Sequence, residues 1–235
     1  MTLAVVPVVD TGVDDALALV IAARHPALRL RGVICTAGNV PLGRVVANTS
    51  YVLGLLDARV PMAAGATRRL DGTEFAVRDG HGPDGLAGLR ATAGSPVGTA
   101  PPTTAAAEAL VPPGVVVVSL GPLTSVVELP PRRVVASYAR PGEANHDMDP
   151  AAAALVAVEH ADVAHHPLEL SAGPAGPPER STGAARLVDG LLAHQAGRGA
   201  GLGDAAVMVL LAEPALDPAH RERRIRSLVA DAPRG

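Results

Sequence analysis

Asp10, Asp14 and Asp15 stand together in the segment VVDTGVDD, directly after the apolar run LAVVPVV at residues 3–9. Carboxylates this close repel one another unless something positive sits among them. More oxygen donors follow along the chain. CTAGN at 35–39 brings the Asn39 amide, and SLGPLTS at 119–125 brings backbone carbonyls around Leu120. EANHDMDP at 143–150 brings Glu143 and Asn145, and Asp204 heads the apolar stretch after Leu202. With Cys35 left inside its strand, this is a hard-oxygen set that suits Ca²⁺ or Mg²⁺ rather than Zn²⁺. A plainer reading of Asp14 and Asp15 also stands: acids in the first turn of a helix complement its dipole.

The elements that must position these groups follow from hydrophobic spacing. Residues 3–9 read as a buried strand, which places Asp10 at its carboxyl end. Residues 14–25 have helical apolar spacing, 28–35 read as a second strand, and 41–56 as a helix opened by Pro41. A short strand is expected at 60–63 and a helix at 103–110. The run VVVVSL at 115–120 has the β-branched continuity of a strand covered on both faces. A strand at 134–138 and helices at 149–160, 184–194, 205–211 and 218–229 complete the pattern, and 171–182 reads as a loop. Strands alternating with helices imply one open, mostly parallel, Rossmann-like α/β sheet, with ligands at the carboxyl ends of its strands. Neither an internal repeat nor a clean boundary divides residues 1–235, so one domain is expected.

Composition narrows the function classes. The chain is 48 % hydrophobic with a net charge of −3, a mean hydropathy of +0.27 and a pI near 6.2. That balance gives no general pull toward nucleic acid or an anionic membrane. All basic residues are arginines, and the aromatics are Tyr51, Phe75 and Tyr138, with no tryptophan. The single cysteine, Cys35, cannot close an internal disulfide and reads as a packed strand residue in a reducing compartment. No apolar run approaches the ~18 residues of a membrane span, and residues 3–9 are too short for a signal core. A cytoplasmic protein is the expectation. His165-His166 is no metal pair, because neighbours in a strand point to opposite faces. Arg132-Arg133 and the arginines of 221–226 read as solvated faces.

Six motifs occur in the order found in the inosine-uridine-preferring nucleoside hydrolases: VVDTGVDD, CTAGNVP, HGPDGL at 81–86, SLGPLTS, EANHDMDP and LGDAAVMVLLAEP. The chain resembles that family over its first ~125 residues. The resemblance implies a calcium-dependent N-ribohydrolase on an open α/β sheet, acting on a ribonucleoside or a related small ribosyl compound. Carried over by position, it implies Asp10, Asp15, Asp204 and the Leu120 carbonyl as ligands of Ca²⁺. It implies Asp14, Asn39, Glu143 and Asn145 as hydrogen-bonding partners of the sugar hydroxyls. Asp10 would take a proton from a metal-held water that attacks the anomeric carbon, and His81 would lie near the base. Relatives are often dimers or tetramers, which leaves a homo-oligomer open.

The chain departs from the family pattern in places. Val8 replaces an aspartate, Thr11 a proline and Ala144 an aromatic, and the asparagine expected upstream of Glu143 has no counterpart near Ser137. Gly203 stands where the leaving-group histidine belongs. The chain is also short between Gly121 and Glu143 and between His160 and His194. Two other readings compete. One is a catalytically impaired homologue that binds a nucleoside or ribose; the other is a Mg²⁺-dependent phosphohydrolase, which lacks a second acid two residues after Asp10 and any lysine for a phosphate.

Overall fold

Residues Leu3–Val9 form β1, the strand from which the sheet is built outward. The computed structural model describes residues 2–76, 79–90, 106–130, 132–160, 162–166, 182–217 and 220–230. Along the chain come α1 (Val13–Arg24), β2 (Leu28–Leu30), β3 (Val33–Cys35), α2 (Leu42–Leu55), β4 (Met62–Ala64) and a single 3₁₀ turn at Asp79–His81. Then follow α3 (Ala107–Leu110), β5 (Val116–Ser119), α4 (Thr124–Val127), β6 (Arg133–Ser137), α5 (Ala144–Met148), α6 (Pro150–Glu159) and β7 (Asp162–His166). Helices α7 (Gly183–Arg198), α8 (Gly203–Ala212) and α9 (Arg221–Ala230) close the chain. The seven strands lie in the order β4-β3-β1-β5-β6-β7, with β2 also paired to β1.

Every described pairing is parallel, so the carboxyl ends of β1, β3, β5 and β6 line one edge. Alternation along the strands divides the core. Val5, Val9, Val116 and Val118 pack with α1, α2, α7, α8 and α9 on one face. Val6, Val8, Val117 and Val134 pack with residues of α3, α4 and α6 on the other. Helix α1 is buried from Ala16 to Ala22 on all sides, as expected of a helix apolar all round. A fully buried Leu17 or Leu19 contributes roughly 1.5–3 kcal/mol each by leaving water.

The strand expected over 28–35 is broken in two. The first half of β1 registers with β2 through Leu3↔Leu28 and Val5↔Leu30, whereas β3 pairs with Val8 and Val9. The break falls opposite Pro7, which has no N–H to give a ladder. Pro41 stands just before α2, as its N-cap residue, rather than inside it. Helix α7 runs four residues beyond its expected end, to Arg198, and stops at Gly199 in the left-handed region at φ 61°. Of the helix expected at 103–110, the described part is Ala107–Leu110. The loop expected at 171–182 lies outside the described residues except for Thr182, which caps α7 by accepting the Ala185 N–H. Short α4, short α5 and β7 have no counterpart among the expected elements. No described helix is long and apolar enough to cross a membrane.

Candidate active site

Four strand ends and two helix starts meet at the carboxyl edge. Asp10 follows β1 and is 1 % exposed. Its Oδ2 accepts the Asn39 backbone N–H at 2.8 Å. Gly38 and Gly121 press on either side of the carboxylate: a Cβ at 38 would lie 2.2 Å from Oδ2 and one at 121 would lie 2.9 Å from Oδ1. Both glycines are therefore needed for Asp10 to occupy this slot.

Helix α1 starts beside it and brings Asp14 and Asp15. The Gly12 N–H donates to Asp15 Oδ2 at 2.9 Å, and the Asn39 side-chain amide reaches the same oxygen at 3.4 Å. Asn39 thus spans Asp10 with its backbone and Asp15 with its side chain. Helix α8 packs along α1 and carries Asp204 in its own first turn. One oxygen each from Asp14, Asp15 and Asp204 lie within 4.8 Å of one another. These acids are almost two hundred positions apart in sequence, and the packing of α1 on α8 brings them together.

The electrostatics of this group are those of buried like charges. Burial raises the Asp15 carboxyl well above the usual aspartate range, and the neighbouring Asp10 and Asp204 raise it further. Burial and then Asp14 do the same to Asp204. Asp15 Oδ1 and Asp204 Oδ1 are buried with no hydrogen-bond partner, an arrangement that costs free energy unless a cation accepts those lone pairs. Unpartnered carboxylate oxygens at this spacing fit a divalent cation with oxygen preference, Ca²⁺ or Mg²⁺. Helix N-termini add favourable potential for the charged forms.

The other expected residues lie on the same edge, with specific partners. Leu120 leaves β5 and its carbonyl accepts the Asn145 side-chain N–H at 2.7 Å; the same amide also donates to the Ser137 carbonyl at 2.9 Å. Asn145 thereby staples the ends of β5 and β6. Glu143 precedes α5 and accepts the Arg140 N–H at 2.8 Å. His81 Nδ1 accepts the Val13 N–H at 3.1 Å and stands 3.7 Å from Asp14, so its proton resides on Nε2. His81 caps α1 from a distant loop where Gly12 has no side chain to do so. His146 pairs with Asp147 at 2.8 Å. Burial pushes the Cys35 thiol up to about 11, consistent with a packed strand residue.

Two groups carry no obvious sequence signal. Asn48 and Thr49, fully buried on α2, hold the approach to the acids. Asn48 donates to the Asp84 carbonyl at 2.8 Å and to that of Thr11 at 3.3 Å, and Thr49 Oγ1 meets Thr11 Oγ1 at 2.6 Å. Two polar residues on the inward side of an apolar helix are the trace they leave. Tyr138, the residue after β6, has φ 50° and lays its hydroxyl over Gly203.

Comparison with known proteins agrees with this architecture. Over 79 residues the chain is 37 % identical to the pyrimidine-specific ribonucleoside hydrolase RihB of Escherichia coli strain SE11, a stretch covering 34 % of this chain and 25 % of that protein. It is 45 % identical over 80 residues to an uncharacterized protein in the ribF 3′ region of Corynebacterium ammoniagenes, covering 33 % of this chain and 85 % of that one. The solved plant nucleoside hydrolase PpNRh1 superimposes with a TM-score of 0.74 at 18 % identity over 99 % of both chains, which is a likeness of fold. Residues 8–130, which include Asp10, Asp14, Asp15, Asn39, His81 and Leu120, match the family model of the inosine-uridine-preferring nucleoside hydrolases. The chain belongs to that family.

Proposed function

We propose that the chain hydrolyses the N-glycosidic bond of a ribonucleoside or a related small ribosyl compound, with a Ca²⁺ ion at the carboxyl edge of the sheet. The observation that carries the reading is the convergence of Asp14, Asp15 and Asp204 oxygens within 4.8 Å, two of these residues offering buried oxygens with no partner. Asp15 and Asp204 would hold the ion, with Asp10 and the Leu120 carbonyl as the other protein donors. When bound, the ion supplies positive charge that orients a vicinal diol and acidifies a water.

The chain's own groups then divide the work. Asp10, pinned between Gly38 and Gly121, accepts the proton of the attacking water. The water oxygen bonds to C1′ as the bond from C1′ to the base nitrogen breaks, and the electron pair leaves with the base. Positive charge that grows on the sugar in this oxocarbenium-like passage is stabilised by the buried carboxylates. Asp14, Asn39, Glu143 and Asn145 are the partners for sugar hydroxyls, Asn145 through its Oδ1 since its N–H groups serve two carbonyls. His81, whose Nδ1 is engaged by the Val13 N–H beside Asp14, would offer Nε2 to the base.

A nucleoside panel assayed for released ribose, with calcium and with chelator, tests the reading. The expected result is turnover that chelation abolishes and that Asp10→Asn lowers by at least about 10²-fold, the ordinary contribution of a general base. Turnover unaffected by chelator and by Asp10→Asn sinks the reading. Tight nucleoside binding without released ribose establishes instead the impaired homologue that Gly203 suggests.

A further inference from the structure

Gly203 leaves the start of α8 without a side chain, yet the space in front of it is filled. A Cβ built on Gly203 would lie 2.0 Å from the Tyr138 hydroxyl oxygen and 2.4 Å from Cζ of its ring. The Gly203 backbone N–H hydrogen-bonds that hydroxyl oxygen. The carboxylates that bear most strongly on it are Asp204 and Asp14, then Glu143. A tyrosine from the end of β6 therefore occupies the position that a side chain at 203 would take, beside the acids of the site.

The backbone is bent to put it there. Tyr138 has φ 50°, a conformation that bulky side chains rarely adopt. It is held by its own carbonyl, which accepts the N–H groups of Asn145 at 2.9 Å and His146 at 3.1 Å. Strained residues that the surroundings hold in place concentrate at functional sites. Asp10 ends β1 and Tyr138 follows β6, two strands further along the order β1-β5-β6. The two residues therefore flank the carboxyl end of β5. An attacking water and a departing base occupy opposite faces of the anomeric carbon. A water at Asp10 would thus put the base on the side away from Asp10, and the Tyr138 hydroxyl beside Gly203 is a candidate to meet it there.

We infer that the Tyr138 hydroxyl is the hydrogen-bond donor to the departing base, in place of a side chain at position 203. The inference rests on the nucleosidase reading above. The hydroxyl acts as a neutral donor and gives up no proton. It donates a hydrogen bond to the base nitrogen or carbonyl as negative charge gathers there, and the base takes its proton afterwards from solvent.

The test compares Tyr138→Phe with the unsubstituted protein, calcium-loaded, on inosine and uridine and on p-nitrophenyl riboside, whose phenolate departs without help. The expected result is a loss of about 10²-fold in kcat on the nucleosides and less than about threefold on p-nitrophenyl riboside. An equal loss on both substrates, or none on either, overturns the inference while leaving the nucleosidase reading intact. If the unsubstituted protein hydrolyses neither substrate, the nucleosidase reading fails and this inference falls with it. Binding supplies a readout apart from turnover. The chain has two tyrosines and no tryptophan, so ring-labelled tyrosine gives two assignable resonances. In calcium-loaded Asp10→Asn protein, inosine must shift the Tyr138 resonance and leave that of Tyr51 in place; inosine bound with Tyr138 unmoved overturns the assignment.

Discussion

Replacing Asp204 by asparagine should have opposite effects on the chelated and the calcium-loaded protein. Asp15 and Asp204 are 0 % and 2 % exposed, and without a cation each is raised by burial and by neighbouring acids. Asp204→Asn keeps the shape and removes one of these charges, so the chelated variant should be at least as stable as its parent. The loaded parent gains by mass action: calcium at a hundred times its Kd adds about 2.7 kcal/mol. In a chain of this size that is a Tm rise of roughly 5–10 °C, and Asp204→Asn should reduce it to less than about 2 °C. The pH dependence has a definite sign. A carboxyl raised in the folded state binds more protons there than when unfolded, so its contribution is full below the ordinary aspartate range and is lost as pH rises through the raised value. The chelated protein should therefore lose stability relative to the loaded one as pH climbs from that range, because the ion holds the same groups ionised. Thermal unfolding followed by circular dichroism, with calcium and with chelator across this range, measures both effects. An Asp204→Asn protein with the parent's full calcium shift would refute the reasoning, as would a loaded-minus-chelated gap that shrinks with rising pH.

Gly38→Ala should leave the fold in place and disable the site, because its Cβ would lie 2.2 Å from Asp10 Oδ2. A displacement of that kind costs about 10²-fold in kcat, read by ribose release alongside an unchanged far-ultraviolet spectrum. Asp149→Ala should act on stability alone. Its carboxylate caps α6 by accepting the Ala152 N–H and also takes the Leu70 N–H and the Thr124 hydroxyl, so urea unfolding should register a loss of about 2–4 kcal/mol.

The first half of the site was open to inspection in the sequence because local rules govern it. LAVVPVV has the density of β-branched residues that buries a parallel strand, and whatever follows such a strand lies at the ligand edge. Asp10 needed no further information, and neither did Asp149-Pro150 as the opening of α6. The break between β2 and β3 has its cause in Pro7, although the pairing that makes it matter joins segments far apart in the chain. The groups around the acids were harder to see. Asn48 and Thr49 act through contacts across 36 to 38 positions, and no periodicity marks a polar residue on an inner helix face as a support. The company of the acids was also only partly legible. The resemblance pairs Asp10 with Asp15 and Asp204, whereas the acids whose oxygens lie within 4.8 Å of one another among the described residues are Asp14, Asp15 and Asp204, a consequence of how α1 and α8 pack that no spacing along one helix reveals.

Gly203 shows why a missing residue cannot be weighed at its own position alone. Taken by itself it is a glycine where the family resemblance implies a histidine, at the head of α8. In the folded chain it is also a condition for something else, since no residue with a Cβ can stand there while the Tyr138 hydroxyl lies 2.0 Å from that point. Close-packed interiors give each volume to one set of atoms, so the glycine at 203 and the tyrosine at 138 are two halves of one arrangement. The turn at φ 50° belongs to the same arrangement, because an ordinary backbone at 138 would aim the ring elsewhere. A loss at one strand or helix end and a strained gain at another are thus physically coupled across 65 positions of sequence, and the chemistry of the site belongs to the pair.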